Sequence, residues 1–268
     1  MSYVETFGVQ WNLHSKVQLD SFTGVPLSYN RLKAATHWPD DLTGDVIVEA
    51  GSGAGRFTEH LARTKATILT FDMSDAINAN IKNNGHNNNV CFFSGDINDL
   101  PIPPGTIDKV LCLGVLQHTP DPKQSFMSLA KLLRPGGLIA IDVYPLWITA
   151  LMHWKYVLRP ITKRMDKDLL YRIIAKYTPP LVPVSIFLRR IAGRAGMRLL
   201  PIVQYDYFGI SPEINREWAV LDTFDMYSPT YDNPQTMRTV RKWFEEAGME
   251  NVTVERGNNG IVARGQKK

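Results

Sequence analysis

Short apolar runs and segments of helical period follow one another along the chain. The apolar, β-branched runs predict five strands, at Asp45–Ala50, Ala66–Asp72, Asn89–Ser94, Ile107–Leu113 and Gly137–Tyr144. The segments with a helical period predict three helices between them, at Gly55–Arg63, Ser74–Asn84 and Ser125–Leu133. This alternation predicts an α/β fold, in which helices cover both faces of a parallel sheet.

The C-terminal region predicts a helix followed by two further strands. Asn233 is expected to cap the helix, with Pro234 at its first position. The glycine- and asparagine-rich stretch 257–260 then separates two apolar runs, which is typical of a β-hairpin. The dinucleotide-binding sheet has six parallel strands and no such hairpin, so this region argues against that fold.

These patterns divide the chain into four parts. Residues 1–44 are rich in aromatic and polar side chains and predict a helical cap, and residues 45–145 carry the first part of the core. Residues 146–232 break the alternation and predict a basic, proline-punctuated helical insertion that acts as a lid. Residues 233–268 supply the helix and hairpin that complete the core.

The net charge of +4 on 268 residues conceals an uneven distribution. Residues 145–205 hold eleven basic and two acidic side chains, so the rest of the chain is acidic. Within 155–198 the basic residues alternate with large aliphatic ones, which fits a solvated lid, a lid that holds an acidic acceptor, or peripheral contact with an anionic membrane. Nucleic-acid binding ranks below these because exposed aromatic residues are not interleaved with the charges.

The remaining composition excludes several classes of protein. No apolar run reaches the length of a membrane span and the N-terminus has no signal pattern, so we expect a cytoplasmic protein. Cys91 and Cys112 fall in predicted strands and are expected to be buried free thiols in a reducing compartment. The six histidines show no metal-ligand spacing, so no metal is expected.

The clearest candidate for a ligand-binding motif follows the first predicted strand, where Glu49 precedes three glycines, Gly51, Gly53 and Gly55. A glycine-rich turn between a strand and a helix is a site for a nucleoside-type cofactor. The third glycine comes one residue too early for a dinucleotide site, Arg56 stands where that site has glycine, and the Glu49 charge is expected to repel a pyrophosphate. The pattern therefore favours a cofactor with a cationic centre and no phosphate.

This arrangement resembles the first motif of the class I S-adenosylmethionine (SAM)-dependent methyltransferases, of the type 11-like group. Asp72 after the second strand, Asp96 after the third and residues 113–122 after the fourth resemble later motifs of the family. The resemblance implies SAM as cofactor and a seven-stranded sheet in the order 3-2-1-4-5-7-6, with strand 7 antiparallel. The cofactor-binding residues that it implies are Glu49, Gly51, Ser52, Gly53, Gly55, Asp72, Met73, Asp96, Ile97, Leu113, Gly114 and Gln117.

Methyl transfer to a hydroxyl requires alignment and a base that accepts the proton. His118, Asp225 and Tyr144 are the candidate catalytic residues, because each is placed at the carboxyl end of the sheet or where the insertion returns to it. Each also has a structural alternative, as a loop-fixing or packed side chain. Trp147 and His153 are placed similarly, and Tyr29 or Arg31 in the helical cap is expected to meet the SAM carboxylate.

The sequence thus predicts a SAM-dependent methyltransferase that acts on a small-molecule, glycan or lipid-linked acceptor, with oxygen as the expected target. Looser similarity of residues 7–12 and 224–265 to bacterial methyltransferases of glycan, lipid and natural-product pathways points the same way. The alternatives are a non-catalytic module with this fold at a membrane surface and, less favoured, an NAD(P)-dependent oxidoreductase.

Overall fold

The computed structural model describes residues 11–146, 154–257 and 259–268. Its centre is a seven-stranded sheet in the order β3-β2-β1-β4-β5-β7-β6. Strands β1 to β5 pair in parallel, and β7 runs antiparallel to both β5 and β6. The strands are β1 Val46–Ala50, β2 Thr67–Asp72, β3 Val90–Ser94, β4 Ile107–Leu113, β5 Leu133–Val143, β6 Met249–Gly257 and β7 Gly260–Lys267. The predicted sheet order and its antiparallel strand are therefore confirmed.

Helices cover both faces of this sheet, because successive strand residues point to opposite sides. Ile47 packs in one core cluster with residues such as Leu32 and Leu61, while its neighbour Val48 packs in the other with Phe126. The helices are α1 Asp20–Thr23, α2 Leu27–Thr36, α3 Thr58–Leu61, α4 Ala76–Asn84, α5 Pro122–Leu132, α6 Trp154–Thr162, α7 Lys167–Met197, α8 Pro212–Tyr227 and α9 Met237–Glu246.

Two expectations about local structure are wrong. Helix α9 begins at Met237 and is capped by Thr236, whose hydroxyl accepts a hydrogen bond from the Thr239 N–H at 3.1 Å, so Asn233 is not the cap. The Asn233 N–H instead donates to the Gln117 carbonyl. Cys91 is exposed because β3 is an edge strand, whereas Cys112 in the central β4 is buried as expected.

The segment between β5 and α9 is helical and is built from α6, α7 and α8. Leu170 and Ile174 on the inner side of α7 pack in one cluster with Phe224 of α8, and this packing holds the two helices together. Helix α7 contains three prolines and changes direction at Ala192–Gly193, where the backbone dihedrals are not helical. Within the described ranges, every helix is too short or too polar to cross a membrane.

Candidate active site

A cavity of about 400 Å³ lies at the carboxyl ends of the parallel strands, where open α/β sheets bind ligands. The loops after β1, β3 and β4 form its floor. Trp11 and Gln18 from the N-terminal region, and Asp222 and Asp225 from α8, close it from the opposite side. The predicted site residues that line it are Gly51, Ser52, Gly53, Asp72, Met73, Asp96, Ile97, Leu113, Gly114, His118, Tyr144 and Asp225.

Three predicted cofactor-binding residues, Glu49, Gly55 and Gln117, do not line this cavity. Glu49 points beneath the glycine loop, and Gly55 faces helix α4. The 3-10 turn at Leu116–His118 directs Gln117 into the interior, where its amide atoms have no hydrogen-bond partner among the described residues. The predicted acceptor-wall residues Trp147 and His153 lie outside those residues.

The glycine loop presents its backbone to the cavity because Gly51 and Gly53 carry no side chains. Gly51 has φ +69°, and a Cβ there would overlap Val115. Gly53 has φ +54°, and its N–H donates to Asp72 Oδ2 at 2.9 Å. A cofactor can therefore approach the loop backbone directly.

Asp72 is oriented by the first residues of the turn after β2. Its Oδ1 accepts hydrogen bonds from the Ser74 N–H at 2.9 Å and from the Ser74 hydroxyl at 2.6 Å. Burial raises the pKa of Asp72, and the hydrogen bonds from Ser74 and Gly53 oppose that rise. A carboxylate held at the end of the second strand is suited to accept a pair of ribose hydroxyls.

Glu49 stabilises the glycine loop from below. Its Oε2 accepts hydrogen bonds from the Thr58 hydroxyl at 2.6 Å and the Thr70 hydroxyl at 2.8 Å. Burial raises the pKa of Glu49 to about 7, so near neutral pH the carboxyl group is partly protonated. The expectation that its charge faces and repels a pyrophosphate therefore has no support in this geometry.

The raised pKa makes folding stability depend on pH. Folded Glu49 holds its proton up to about pH 7, whereas the unfolded group loses it near 4.5, so stability should fall as pH rises between these values. We expect the free energy of unfolding to fall less with pH in Glu49→Gln than in the wild type, by up to about 3 kcal/mol. Urea denaturation at about pH 5 and pH 8 measures it, with the exposed Glu250→Gln as the matched control. Equal pH dependence in wild type and Glu49→Gln would show that the buried carboxyl is ionised throughout.

Asparagine side chains of α4 support the other side of the glycine loop, and we call Asn80, Asn83 and Asn84 the asparagine layer. The Asn83 amide donates to the Ala54 carbonyl at 2.9 Å and to the Ser15 carbonyl at 2.8 Å. The Asn84 amide donates to the Gly55 carbonyl at 3.1 Å. The sequence analysis missed this role, although the asparagine-rich run 78–89 was its available signal.

Asp142 of β5 links the cap to the loop after β4. Its Oδ1 accepts from the Gly114 N–H at 2.5 Å, and its Oδ2 lies 2.5 Å from Arg31 Nη2. Arg31 thereby lines the cavity, where it remains a candidate partner for the cofactor carboxylate. Tyr29 lies elsewhere, since its hydroxyl donates to Asp40 and it lines a separate, smaller cavity, so that expectation is wrong. The sequence analysis missed Asp142, although an acidic residue within an apolar strand was a signal for it.

His118 lines the cavity from the loop after β4. Its Nδ1 is 3.2 Å from the Tyr231 carbonyl oxygen, and its ring meets Tyr144 edge-on at 5.5 Å between centroids. Burial lowers the pKa of His118, and the negative charge of Asp225 opposes this shift. Because a carbonyl only accepts hydrogen bonds, Nδ1 donates its proton to Tyr231.

Tyr144 is not suited to act as the base. Burial and the charge of Asp225 raise the pKa of Tyr144 well above its usual value, so the phenol keeps its proton. The Lys155 ammonium lies 4.2 Å from the centre of its ring and is 2.7 Å from Asp232 Oδ1. Of the three catalytic candidates, His118 and Asp225 therefore remain as possible proton acceptors in the cavity.

Asp222 connects the glycine loop to the lid. Its carboxylate accepts hydrogen bonds from the Tyr205 hydroxyl, from Trp218 Nε1 at 3.0 Å and from Gln18 Nε2 at 3.0 Å. Burial raises its pKa to about 6. Gln18 in turn accepts from Arg56 Nη1 at 2.7 Å, so Arg56 has a structural role that the glycine spacing did not reveal.

Comparisons with known proteins agree with this arrangement. Residues 48–141 match the family model described as a methyltransferase domain. A ubiquinone biosynthesis O-methyltransferase of Coxiella burnetii is 26% identical over 187 residues, which are 65% of this chain and 72% of that protein. One of Xanthomonas oryzae is 30% identical over 105 residues, covering 38% of this chain and 44% of the relative.

Solved structures share the fold at low sequence identity. A chain of a Haloferax volcanii complex that contains the Trm112 methyltransferase activator superposes with a TM-score of 0.54 and 13% identity, over 98% of this chain and 96% of that one. An O-methyltransferase family protein of Burkholderia thailandensis gives a TM-score of 0.52 and 14% identity, over 93% and 59%. These likenesses support the arrangement of the sheet and helices alone.

Proposed function

Because this chain belongs to the class I SAM-dependent methyltransferases, we propose that it methylates an oxygen atom of a small-molecule, glycan or lipid-linked acceptor. The observation that carries the proposal is the buried imidazole of His118, which lines the same cavity as the glycine loop and Asp225. A hydroxyl acceptor needs a group that takes its proton, and a histidine with a lowered pKa is neutral and able to do so near pH 7.

The residues of the glycine loop and of the strand ends around it fit SAM. Gly51 and Gly53 both have positive φ and line the cavity without side chains, which leaves space for the cofactor. Asp72 would hold the ribose, Asp96 with Ile97 the adenine, and the Gly114 backbone with Arg31 the methionine portion. When bound, SAM supplies a methyl group already activated by its sulfonium.

His118 would accept the proton of the acceptor, and residues of the helical segment between β5 and α9 would position the acceptor. SAM would supply the methyl group to the acceptor oxygen and leave as S-adenosylhomocysteine, and His118 would take the proton that the acceptor hydroxyl loses. The charge of Asp225 stabilises the imidazolium that results. Val203, Tyr205 and Met226 line the same part of the cavity and would hold the acceptor in place while excluding water.

The similarity to O-methyltransferases of ubiquinone biosynthesis favours oxygen as the target atom. The Coxiella burnetii protein is an O-methyltransferase of ubiquinone biosynthesis, and at 26% identity it suggests the class of target without specifying the molecule. The peripheral contact with an anionic membrane predicted through residues 155–198 belongs to the same proposal, since a lipid-linked acceptor is embedded in a bilayer.

The test uses the full chain with SAM labelled on its methyl group and fractionated cell extract. We expect label to enter a lipid, glycan or small-molecule fraction and to be recovered as a methyl ether or ester. Label on nitrogen or on protein, or no transfer in any fraction, would contradict the proposal. Thermal unfolding provides the cofactor control, because S-adenosylhomocysteine should raise the melting temperature whereas NAD should not.

A further inference from the structure

The outer side of helix α7 carries a stripe of exposed apolar residues. Their exposed fractions range from 39% for Ile173 to 69% for Ile191. At 100° per residue, the members of the stripe fall within about 80° of one another around the helix. We call them the docking face; its residues are Leu169, Ile173, Tyr177, Val184, Phe187 and Ile191.

The opposite side of the same helix is already occupied. Leu170, Ile174 and Val182 are buried, and they recur at the helical spacing through the prolines of α7. Leu170 and Ile174 pack against Phe224 of α8, the helix whose Asp222 and Asp225 line the cavity. The docking face and the candidate active site therefore lie on opposite sides of one two-helix layer.

Basic side chains border the docking face and lack acidic partners. Arg172, Lys176 and Arg190 are exposed, and among the described residues none of them forms a salt bridge. Arg189, the residue before Arg190, does form a salt bridge, because its Nη2 lies 2.6 Å from Asp206 Oδ2. On α7, Arg172, Lys176 and Arg190 therefore lie next to the exposed apolar residues.

We propose that the docking face lies on the surface of an anionic phospholipid bilayer. Its aliphatic and aromatic side chains would enter the boundary between head groups and acyl chains, and Arg172, Lys176 and Arg190 would meet the lipid phosphates. Exposed apolar residues in a continuous stripe with basic borders are characteristic of helices that lie in the membrane interface.

The charge pattern favours this occupant over a second copy of the chain. In a symmetric dimer the same patch meets itself, so the basic borders of the two copies would lie opposite each other without acidic partners. An anionic bilayer complements both features at once. The inference rests on the proposed function only for the idea that the acceptor comes from the bilayer, because docking can be measured without turnover.

Vesicle co-sedimentation of the full chain tests the docking face. We expect retention on phosphatidylcholine vesicles containing about one-third phosphatidylglycerol, weaker retention at high salt, and little on phosphatidylcholine alone. The triple variant Arg172→Gln, Lys176→Gln, Arg190→Gln should lower the partition coefficient by about a hundredfold. Phe187→Ser with Ile191→Ser should lower it with less dependence on salt.

The matched control removes the same number of charges from exposed positions elsewhere, as Lys131→Gln, Arg238→Gln, Arg241→Gln. The proposal is overturned if wild type stays in the supernatant, if the control reduces binding as much as the face variant, or if the face instead mediates concentration-dependent self-association. Binding of S-adenosylhomocysteine by every variant verifies that the proteins are folded. Vesicle binding without methyl transfer would leave the docking face standing and reject the proposed function.

Discussion

Replacing His118 with alanine is expected to lower the turnover number by about 10²- to 10⁴-fold, the usual contribution of a positioned base. Affinity for S-adenosylhomocysteine should change little, because the glycine loop, Asp72 and Asp96 are expected to hold the product, whereas His118 is expected to act on the acceptor. Steady-state kinetics with the acceptor found by labelling, together with calorimetric titration of the product, measure the two effects separately.

The pH profile separates a base from a loop-fixing residue. His118 must be neutral to accept a proton, and burial lowers its pKa, so wild-type turnover should rise with pH through a value below 6.5 and then level off. The rise should vanish in His118→Ala. The exposed His86→Ala is the matched control and should keep both rate and profile. Full turnover in His118→Ala would remove His118 from the mechanism.

Replacing Gly55 with alanine should have the largest effect on stability. Gly55 has φ +88°, which costs an L-residue roughly 1–2 kcal/mol. Its added Cβ would also overlap the buried side chains of Asn80 and Asn84. Asn80 donates to Thr58 at 2.8 Å, so it cannot move aside without losing that bond, and such overpacking costs about 1–3 kcal/mol more. We therefore expect the free energy of unfolding to fall by about 2–5 kcal/mol.

Gly105→Ala isolates the contribution of the asparagine contacts. Gly105 also has positive φ, at +72°, but a Cβ there would have nothing within 4 Å. Urea denaturation of Gly105→Ala should show a loss of unfolding free energy that comes from the strained backbone alone. This variant should bind S-adenosylhomocysteine normally. Gly55→Ala should bind the same ligand more weakly, because the Asn84 contact supports the loop carbonyl at Gly55. Equal losses in the two variants would show that the asparagine layer yields to the extra methyl group.

The parallel strands could be predicted from local patterns because the central ones, β1 and β4, are largely buried on both faces. Four of the five parallel strands match the predicted bounds to within one residue, since apolar runs there end at polar turns. The fifth begins at Leu133, four residues before the predicted Gly137, because Ile107 of β4 pairs with Leu133 across a register shift. Turn residues such as Pro135 and Gly136 concealed that pairing in the sequence.

The cofactor end of the candidate site was largely visible in the sequence, and the contacts that support it were not. Asp72, Asp96 and Gly114 follow strands, and parallel strands bring their carboxyl ends to one edge. Gln117 was misplaced because a short 3-10 turn determines which of its residues faces the cavity. Glu49 was misjudged because its ionisation depends on burial, which a motif does not report.

The sequence by itself determined the succession of strands and helices through periodicity, and the resemblance of its short motifs to a known family implied the sheet order and the methyl donor. Only the tertiary structure decided which side chains support and complete the site. Arg31 and Asp142 are 111 residues apart in the chain, and Gln18 and Asp222 are 204 apart, yet each pair is hydrogen-bonded. Such contacts arise when the cap and lid pack over the sheet, and the same packing removes His118 from water and lowers its pKa.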